Sequence, residues 1–383
     1  MSRRSAKRRT PVVALLIETS NAFSRELLRG VRDWMRTQRA WTIHLSEQGR
    51  GNEPPRWLKS WRGDGIIARI ENPKIARAVR SCGVPVVNVS ATGLGPEFPA
   101  VISDSAAIAG AAVAHFLERG FRNFGYCGDA RFVWSGRHEE HFSAACEKAG
   151  AVCAVFPTTG EESDRAKIPR WLASLPKPVG IMACYDIRGQ QVLDACRATG
   201  LRVPDEVAVI GQHNDELLCE MCDPPLSSVI PNARRAGYEA AKLLEETMQG
   251  GKVKAEAMLV PPIGVATRAS SDLVAVEDAG LRTAIRFLRE NLADRISVLD
   301  IAEACGMSRS LLERRFRAAI GTSVWDHLLH LRMQQAQQLL MKSTLSMAEI
   351  AERTGFGTAE HFSASCRRLT GLPPVEWRRR GAT

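Results

Sequence analysis

The chain has 383 residues, a length that suits two or three domains, and a hydrophobic content of 45% allows a sizeable buried core. No apolar run approaches the ~20 residues of a membrane helix, which argues against a membrane partner and for a cytoplasmic protein. The net charge of +10 is unevenly spread: residues 1–10 hold five Lys/Arg and no acid, residues 281–383 hold sixteen against ten Asp/Glu, and the stretch between is nearly neutral with 31 basic and 32 acidic residues. A neutral body with a basic tail is the footprint of a chain whose one end meets a polyanion.

Residues 1–10 read as a solvated basic leader. The apolar run 12–17 ends at Glu18 without a small-residue cleavage site, so it reads as a buried strand and not as a signal peptide. From 11 to 268 short apolar runs alternate with amphipathic stretches. Strands are expected at 12–17, 41–45, 65–70, 84–89, 124–127, 152–156, 180–184 and 207–210, and helices at 25–36, 106–119 and 187–199. Strands separated by helices predict parallel sheets with helical crossovers, and the length predicts two of them. The ten cysteines form no framework for disulfides, and the lone pair Cys219/Cys222 has no second pair to complete a metal site, so free thiols and no metal are expected. A linker is expected over 269–280, followed by a separate domain over 281–383.

That last domain contains a repeat. Ile296-Ser-Val-Leu-Asp-Ile-Ala-Glu-Ala-Cys-Gly306 is echoed 49 residues later by Leu345-Ser-Met-Ala-Glu-Ile-Ala-Glu-Arg-Thr-Gly355. Each copy opens with a capping-box pattern, Ser297 with Asp300 and Ser346 with Glu349, and the second, with its Glu, is the better match. Each closes on a glycine suited to a sharp turn into a second helix, at 308–319 and 358–369. Leu312 and Phe316 should face the core, and Leu329, Met333, Ala336 and Leu340 mark one face of a long linking helix. Helix, tight turn, helix is the arrangement whose second helix enters the major groove of DNA. On the first such helix Arg309, Ser310, Glu313 and Arg314 fall on the outward face; on the second Thr358, Glu360, His361 and Ser363 do so, with Arg367 and Arg368 toward phosphates. Arg pairs with guanine and Glu accepts from cytosine, although any one of these residues alone could equally be a solvated helix face.

These residues, with the closing pattern His361-Phe362, Gly371-Leu-Pro-Pro374 and Trp377-Arg378, resemble the AraC/XylS family of transcription regulators over residues 281–378. The resemblance implies two helix-turn-helix units in successive major grooves, contact with RNA polymerase, and a homodimer. Cys366 departs from the family, which usually has Phe there, and a smaller residue predicts a looser second core. The first half resembles the LacI/GalR sensor fold, similar to periplasmic sugar-binding proteins. The resemblance rests on Gly63-Asp-Gly-Ile-Ile67, Val84-Pro-Val-Val87, Asp104, Pro204-Asp-Glu-Val-Ala-Val-Ile-Gly211 and Ser227-Ser-Val-Ile-Pro231 leading to Gly237-Tyr-Glu-Ala-Ala241. Sensor first and AraC-type reader last is the order of the xylose-responsive regulators of the XylR type.

The implied fold is a two-lobed α/β periplasmic-binding-protein-like sensor followed by an all-α double helix-turn-helix domain. By motif position the resemblance places ligand contacts at Glu18, Arg25, Asp104, Trp134, His138, Asp186, His213 and Asn214. Two positions depart: His213 stands where Asp is common, and His138 where Arg is usual. An acceptor and a donor fork are thereby replaced by imidazole, so the family's ligand does not transfer directly. The expected function is a regulator, an activator of carbohydrate-related genes, that binds a small-molecule effector, a sugar or a derivative, between its lobes and double-stranded DNA at its far end. The alternatives are a DNA-binding protein with a vestigial or non-sugar-sensing cleft, and an enzyme fused to a DNA-binding tail. No P-loop, Gly-x-Ser-x-Gly or His-Glu-x-x-His supports the enzyme, and no cofactor is expected.

Overall fold

The computed structural model describes residues 9–251, 256–272 and 278–382. The leader up to residue 8, and residues 273–277 of the expected linker, lie outside the described residues. The chain forms two compact units, Met1–Phe116 with Arg122–Asp272, and Leu117–Phe121 with Leu273–Thr383.

The sensor unit begins with β1 (Val12–Leu16), α1 (Ala22–Thr37), β2 (Thr42–Leu45), β3 (Gly65–Ala68), α2 (Pro73–Arg80) and β4 (Val86–Asn88). These build a four-stranded parallel sheet in the order β2-β1-β3-β4. β1 and β3 are apolar throughout and almost wholly buried, as strands covered on both faces must be. The chain continues through β5 (Val101–Ser103), α3 (Ser105–Glu118), β6 (Asn123–Cys127), α4 (Val133–Lys148), β7 (Cys153–Val155), α5 (Asp164–Ser174), β8 (Val179–Ala183), α6 (Asp186–Ala198), β9 (Val207–Gln212), α7 (Glu216–Met221) and β10 (Ser227–Ile230). It ends with α8 (Ala233–Met248), β11 (Met258–Val260) and β12 (Gly264–Ala266).

The second sheet runs β12-β10-β9-β8-β6-β7, parallel except for β12, which is antiparallel to β10. A further small sheet pairs β11 with β5 in parallel. The expected parallel sheets are therefore present, with this antiparallel edge and the small third sheet added. Strand membership divides the unit into two lobes, and the chain crosses between them three times: after β5, between β10 and α8, and between β11 and β12. In the first lobe α8 crosses α1 at two glycines. A Cβ on Gly30 would stand 1.9 Å from the Arg234 carbonyl oxygen, and one on Gly237 2.0 Å from that of Leu27. Only glycine lets these backbones touch. At the far end Ser270 remains tied to the sensor sheet, donating to Val209 O at 2.7 Å and accepting from Ser227 N at 2.8 Å.

The helical unit contains α9 (Ala279–Glu290), α10 (Val298–Ala304), α11 (Arg309–Ile320), α12 (Val324–Lys342), α13 (Met347–Arg353), α14 (Ala359–Thr370) and α15 (Pro374–Ala382). It holds two small cores that share α12. Val324 and Leu328 join Leu312 and Phe316 in one; Leu329, Met333, Ala336 and Leu340 join Phe362 and Cys366 in the other. The linking helix thus buries the stripe that its apolar spacing predicts.

Candidate effector cleft and nucleic-acid interface

Between the lobes of the sensor lies a narrow, partly open cavity. Phe23, Arg69, Val89, Ser90, Ala91 and Ser103 line it from the first lobe; Trp134, His138, Gln212 and His213 line it from the second. Among the described residues, five buried polar atoms on this wall have no hydrogen-bond partner: Arg69 Nε, Ser90 Oγ, Trp134 Nε1, His138 Nδ1 and Gln212 Oε1. Leaving such atoms unmatched costs about 1–3 kcal/mol each, so a cluster of them around one space makes it a candidate binding surface. The set mixes donors with acceptors, as a ligand bearing several hydroxyls requires.

Arg69 is the centre of the polar wall on the first lobe. Its Nη1 donates to Glu18 at 2.5 Å and to Ser24 Oγ at 2.9 Å, and its Nη2 to Glu71 at 2.5 Å. Its guanidinium carbon lies 5.2 Å from the centre of the Phe23 ring. Glu18 also accepts from Ser24 Oγ at 2.7 Å and Asn21 Nδ2 at 3.0 Å. Burial alone would raise the Glu18 carboxyl, but Arg69 and these donors bring it down to about 2. Burial wins at Glu71, pushed up to about 7 despite Arg69. The cation is therefore matched within its own lobe by the Glu18 carboxylate, with Glu71 bonded beside it. Both cleft histidines are neutral at pH 7: burial and nearby His141 bring His138 down to about 4, and burial with Arg50 and Arg69 pushes His213 well down.

The sequence-expected contacts divide three ways. Trp134, His138 and His213 line the cavity. Trp134 stacks on Phe132, centroids 5.1 Å apart, and meets Tyr185 edge-on at 5.9 Å. Glu18 stands behind Arg69, and Arg25 lies exposed, donating to Thr19 O at 3.2 Å and 3.9 Å from Asp215 of the other lobe. Asp104, Asp186 and Asn214 spend their side chains on the protein itself. Asp104 accepts from Ala107 N at 2.9 Å, capping α3. Asp186 accepts from Ser228 Oγ at 2.6 Å and Asp215 N at 2.8 Å, and Asn214 accepts from Arg268 at 2.9 Å. Asp186 and Asn214 brace the turn that carries His213, whose backbone sits at φ 98°. Burial pushes Asp186 up to about 7 even with those donors.

Arg69, Ser90, Ser103 and Gln212 were not anticipated. Arg69 hides inside an apolar run, and Gln212 sits beside the more conspicuous His213. Arg50 was also missed. It comes from the first lobe and lies over three rings of the second, 4.6 Å from Tyr185, 5.5 Å from Phe132 and 5.6 Å from Trp134. Stacking of this kind contributes about 0.5–2 kcal/mol and ties the lobes together.

In the helical unit both capping boxes are formed. Ser297 N donates to Asp300 at 2.7 Å and Ser346 N to Glu349 at 2.7 Å; the return bonds to the serine hydroxyls are 3.4 and 3.2 Å, shorter in the second unit. Leu312, Phe316, Phe362 and Cys366 are fully buried, which turns the opposite faces of α11 and α14 outward. Arg309, Ser310, Arg314, Glu360, Arg367 and Arg368 are exposed, while Glu313 and Ser363 are half-buried. Thr358 caps α14, accepting from His361 N at 3.2 Å, and the His361 ring turns back on its own turn, with Nδ1 2.9 Å from Phe356 O. Arg315 is paired with Asp278 at 2.7 Å. Among the described residues no group of three metal-ligating side chains occurs, and no helix is long and apolar enough to cross a membrane.

Comparison with known proteins matches this arrangement in order. Residues 12–102 match an XylR N-terminal domain, 113–271 a periplasmic binding protein-like domain, and 301–380 a helix-turn-helix domain. The xylose operon regulatory protein of Escherichia coli K12 is 30% identical over 379 residues, covering 96% of each chain. That of Haemophilus influenzae is 27% identical over 379 residues, 96% of this chain and 97% of its own. A solved structure described as the xylose-binding transcription activator XylR aligns with a TM-score of 0.62 at 27% identity, over 97% of this chain and 99% of that one. With sensor, reader and their order all in common, the chain belongs to the XylR family of transcription regulators, which joins a periplasmic-binding-protein-like sensor to an AraC-type helix-turn-helix domain.

Proposed function

We propose that the interlobe cavity binds a neutral monosaccharide, of which xylose is the first candidate, and that its occupancy sets the affinity of the helical unit for promoter DNA. The observation that carries the reading is the ring of five unmatched polar atoms around one space. Neutral imidazoles and an Arg69 cation already matched by the Glu18 carboxylate favour hydroxyl groups over a carboxylate or phosphate. The relatives' names, xylose operon regulatory proteins, point to the same ligand class. Glu18, Asp186 and Asn214 act by holding Arg69 and His213 in place, Arg25 sits at the rim, and Asp104 fixes the start of α3.

At the other end Arg309, Ser310, Glu313 and Arg314, with Glu360 and Ser363, face the bases; Thr358, His361 and Arg367 set the second helix on the backbone. The working form is a cytoplasmic homodimer that activates by contacting RNA polymerase, and it carries out no catalysis. The test is the affinity of the full chain for its selected DNA, with and without saturating sugar. Coupling between two such sites is typically about 5–150-fold. A sugar that binds but leaves DNA affinity unchanged would refute the regulatory part of the reading.

A further inference from the structure

Among the described residues, the apolar stripe of α12 contains one cation. Arg332 lies three residues after Leu329 and four before Ala336, on the same face, and is only 4% exposed. Its Nε donates to Leu292 O at 2.8 Å and its Nη2 to Asp294 O at 2.6 Å. Both carbonyls belong to the loop that joins α9 to α10, and so to the first helix-turn-helix half. The guanidinium also lies against Gly355, the turn glycine of the second half. A Cβ on Gly355 would stand 2.3 Å from Leu292 O and 2.6 Å from Arg332 Nε, and its φ is +75°. Gly306 occupies the same place in the first copy of the repeat and has nothing within 4 Å. The two turn glycines are thus alike in sequence and unlike in surroundings. One ends in open space; the other is pressed into a junction where a buried guanidinium, the Leu292 carbonyl and the second turn meet.

A long helix joining two small cores leaves freedom to bend and twist between them. A planar fork with fixed donor directions removes that freedom, because it holds two carbonyls of one half while packed against the turn of the other. We infer that Arg332 is a positioning residue that fixes the separation and phase of the two recognition helices, α11 and α14, and so sets the half-site spacing that the chain reads. The inference rests on the reading of two DNA-contacting units. It adds a residue that touches no DNA and still determines specificity.

The experiment is in vitro selection from a random duplex pool with the full-length wild-type chain and with Arg332→Met, which keeps the stem and removes the donors. The wild type should return two sequence elements at one separation, near the repeat of about 10–10.5 bp per turn. Arg332→Met should return the same two elements at a spread of separations. On the wild-type site with one or two base pairs inserted between the elements, the wild type should lose about tenfold or more in affinity and the variant less than about threefold. A variant that keeps the single separation and the full insertion penalty overturns the inference. A wild type that selects no paired elements overturns the two-unit reading and the inference with it. Should Arg332→Met fail to fold, Arg332→Lys, which keeps the charge but not the fork, is put through the same selection. A widened spread supports the inference, and an unchanged one overturns it.

Discussion

The imidazole of His213 lies 5.0 Å from the ring of Phe23, across the cleft from one lobe of the sensor to the other. His213 also sits at φ 98°, a conformation that an L residue holds only when its surroundings demand it. The contact therefore joins closure of the lobes to the geometry of the binding wall. An aromatic pair of this kind contributes about 0.5–1.5 kcal/mol beyond its buried area. His213→Ala and Phe23→Ala should each weaken sugar binding in titration calorimetry, and the double variant should lose about 0.5–1.5 kcal/mol less than the sum of the two. Strict additivity would mean that the rings act independently.

The buried His138 should give the sensor a pH dependence whose sign follows from its burial. Its ordinary value is 6.5, and burial with nearby His141 brings it down to about 4 in the folded chain. Between those values the unfolded chain binds a proton that the folded chain refuses, so stability is full above pH 6.5 and is lost as the pH falls toward 4. The slope contributed is on the order of 1 kcal/mol per pH unit. Asp186, raised to about 7, contributes in the opposite direction, its share being lost as the pH rises toward 7. Subtracting His138→Gln from wild type isolates the histidine. Urea unfolding at pH 7, 6 and 5 should show the gap between the two proteins shift toward the variant as the pH drops; parallel curves would contradict it.

Arg314 and Arg367 should behave differently on DNA, although both are exposed. Arg314 lies on the outward face of α11, and Arg314→Ala should cost about 1–3 kcal/mol on the selected site and little on random duplex. Arg367 lies in the last turn of α14. Arg367→Ala should weaken both duplexes alike and reduce the salt slope by about one. Fluorescence anisotropy over a salt series separates the two; equal losses for both variants on both duplexes would remove the base-reading role of Arg314.

Cys366 lies in the second core. The thiol is fully buried and donates to Leu372 O at 3.3 Å. Cys366→Phe, the residue usual in AraC-type chains, should overpack this core and destabilise it by about 1–3 kcal/mol. Thermal unfolding reads the change. A rise in stability would mean that the core holds a void and that the smaller side chain does loosen it.

The elements that could be read from the sequence were those in which one local rule decides. β1 and β3 are apolar runs buried on both faces, and the two capping boxes announce α10 and α13. Short strands such as β5, β11 and β12 carry no period of their own and exist only through their partners. The cleft was legible in its aromatic and imidazole residues and illegible in its cation. Arg69 belongs to a run whose other members are apolar, and nothing local reveals that Glu18, Ser24 and Glu71 converge on it. Asp104 and Asp186 are ligand-type residues by chemistry, yet the protein takes their oxygens: Asp104 caps the helix that follows it, and Asp186 accepts from Asp215 N and Ser228 Oγ of neighbouring elements. Arg332 falls on a predicted core face, and only the junction around it explains how a charge can sit there.

The most direct test of the sugar-sensing cleft is thermal unfolding of the full chain against xylose, other neutral pentoses and hexoses, sugar acids and sugar phosphates, in wild type and in Gln212→Leu. A neutral sugar at ~100 times its dissociation constant should stabilise the wild-type sensor by about 2.7 kcal/mol. Gln212→Leu, which removes an unmatched acceptor, should unfold no earlier than wild type without sugar and lose most of the response. Stabilisation by acids or phosphates alone, or a full response in Gln212→Leu, would contradict a cleft built for the hydroxyls of a neutral sugar.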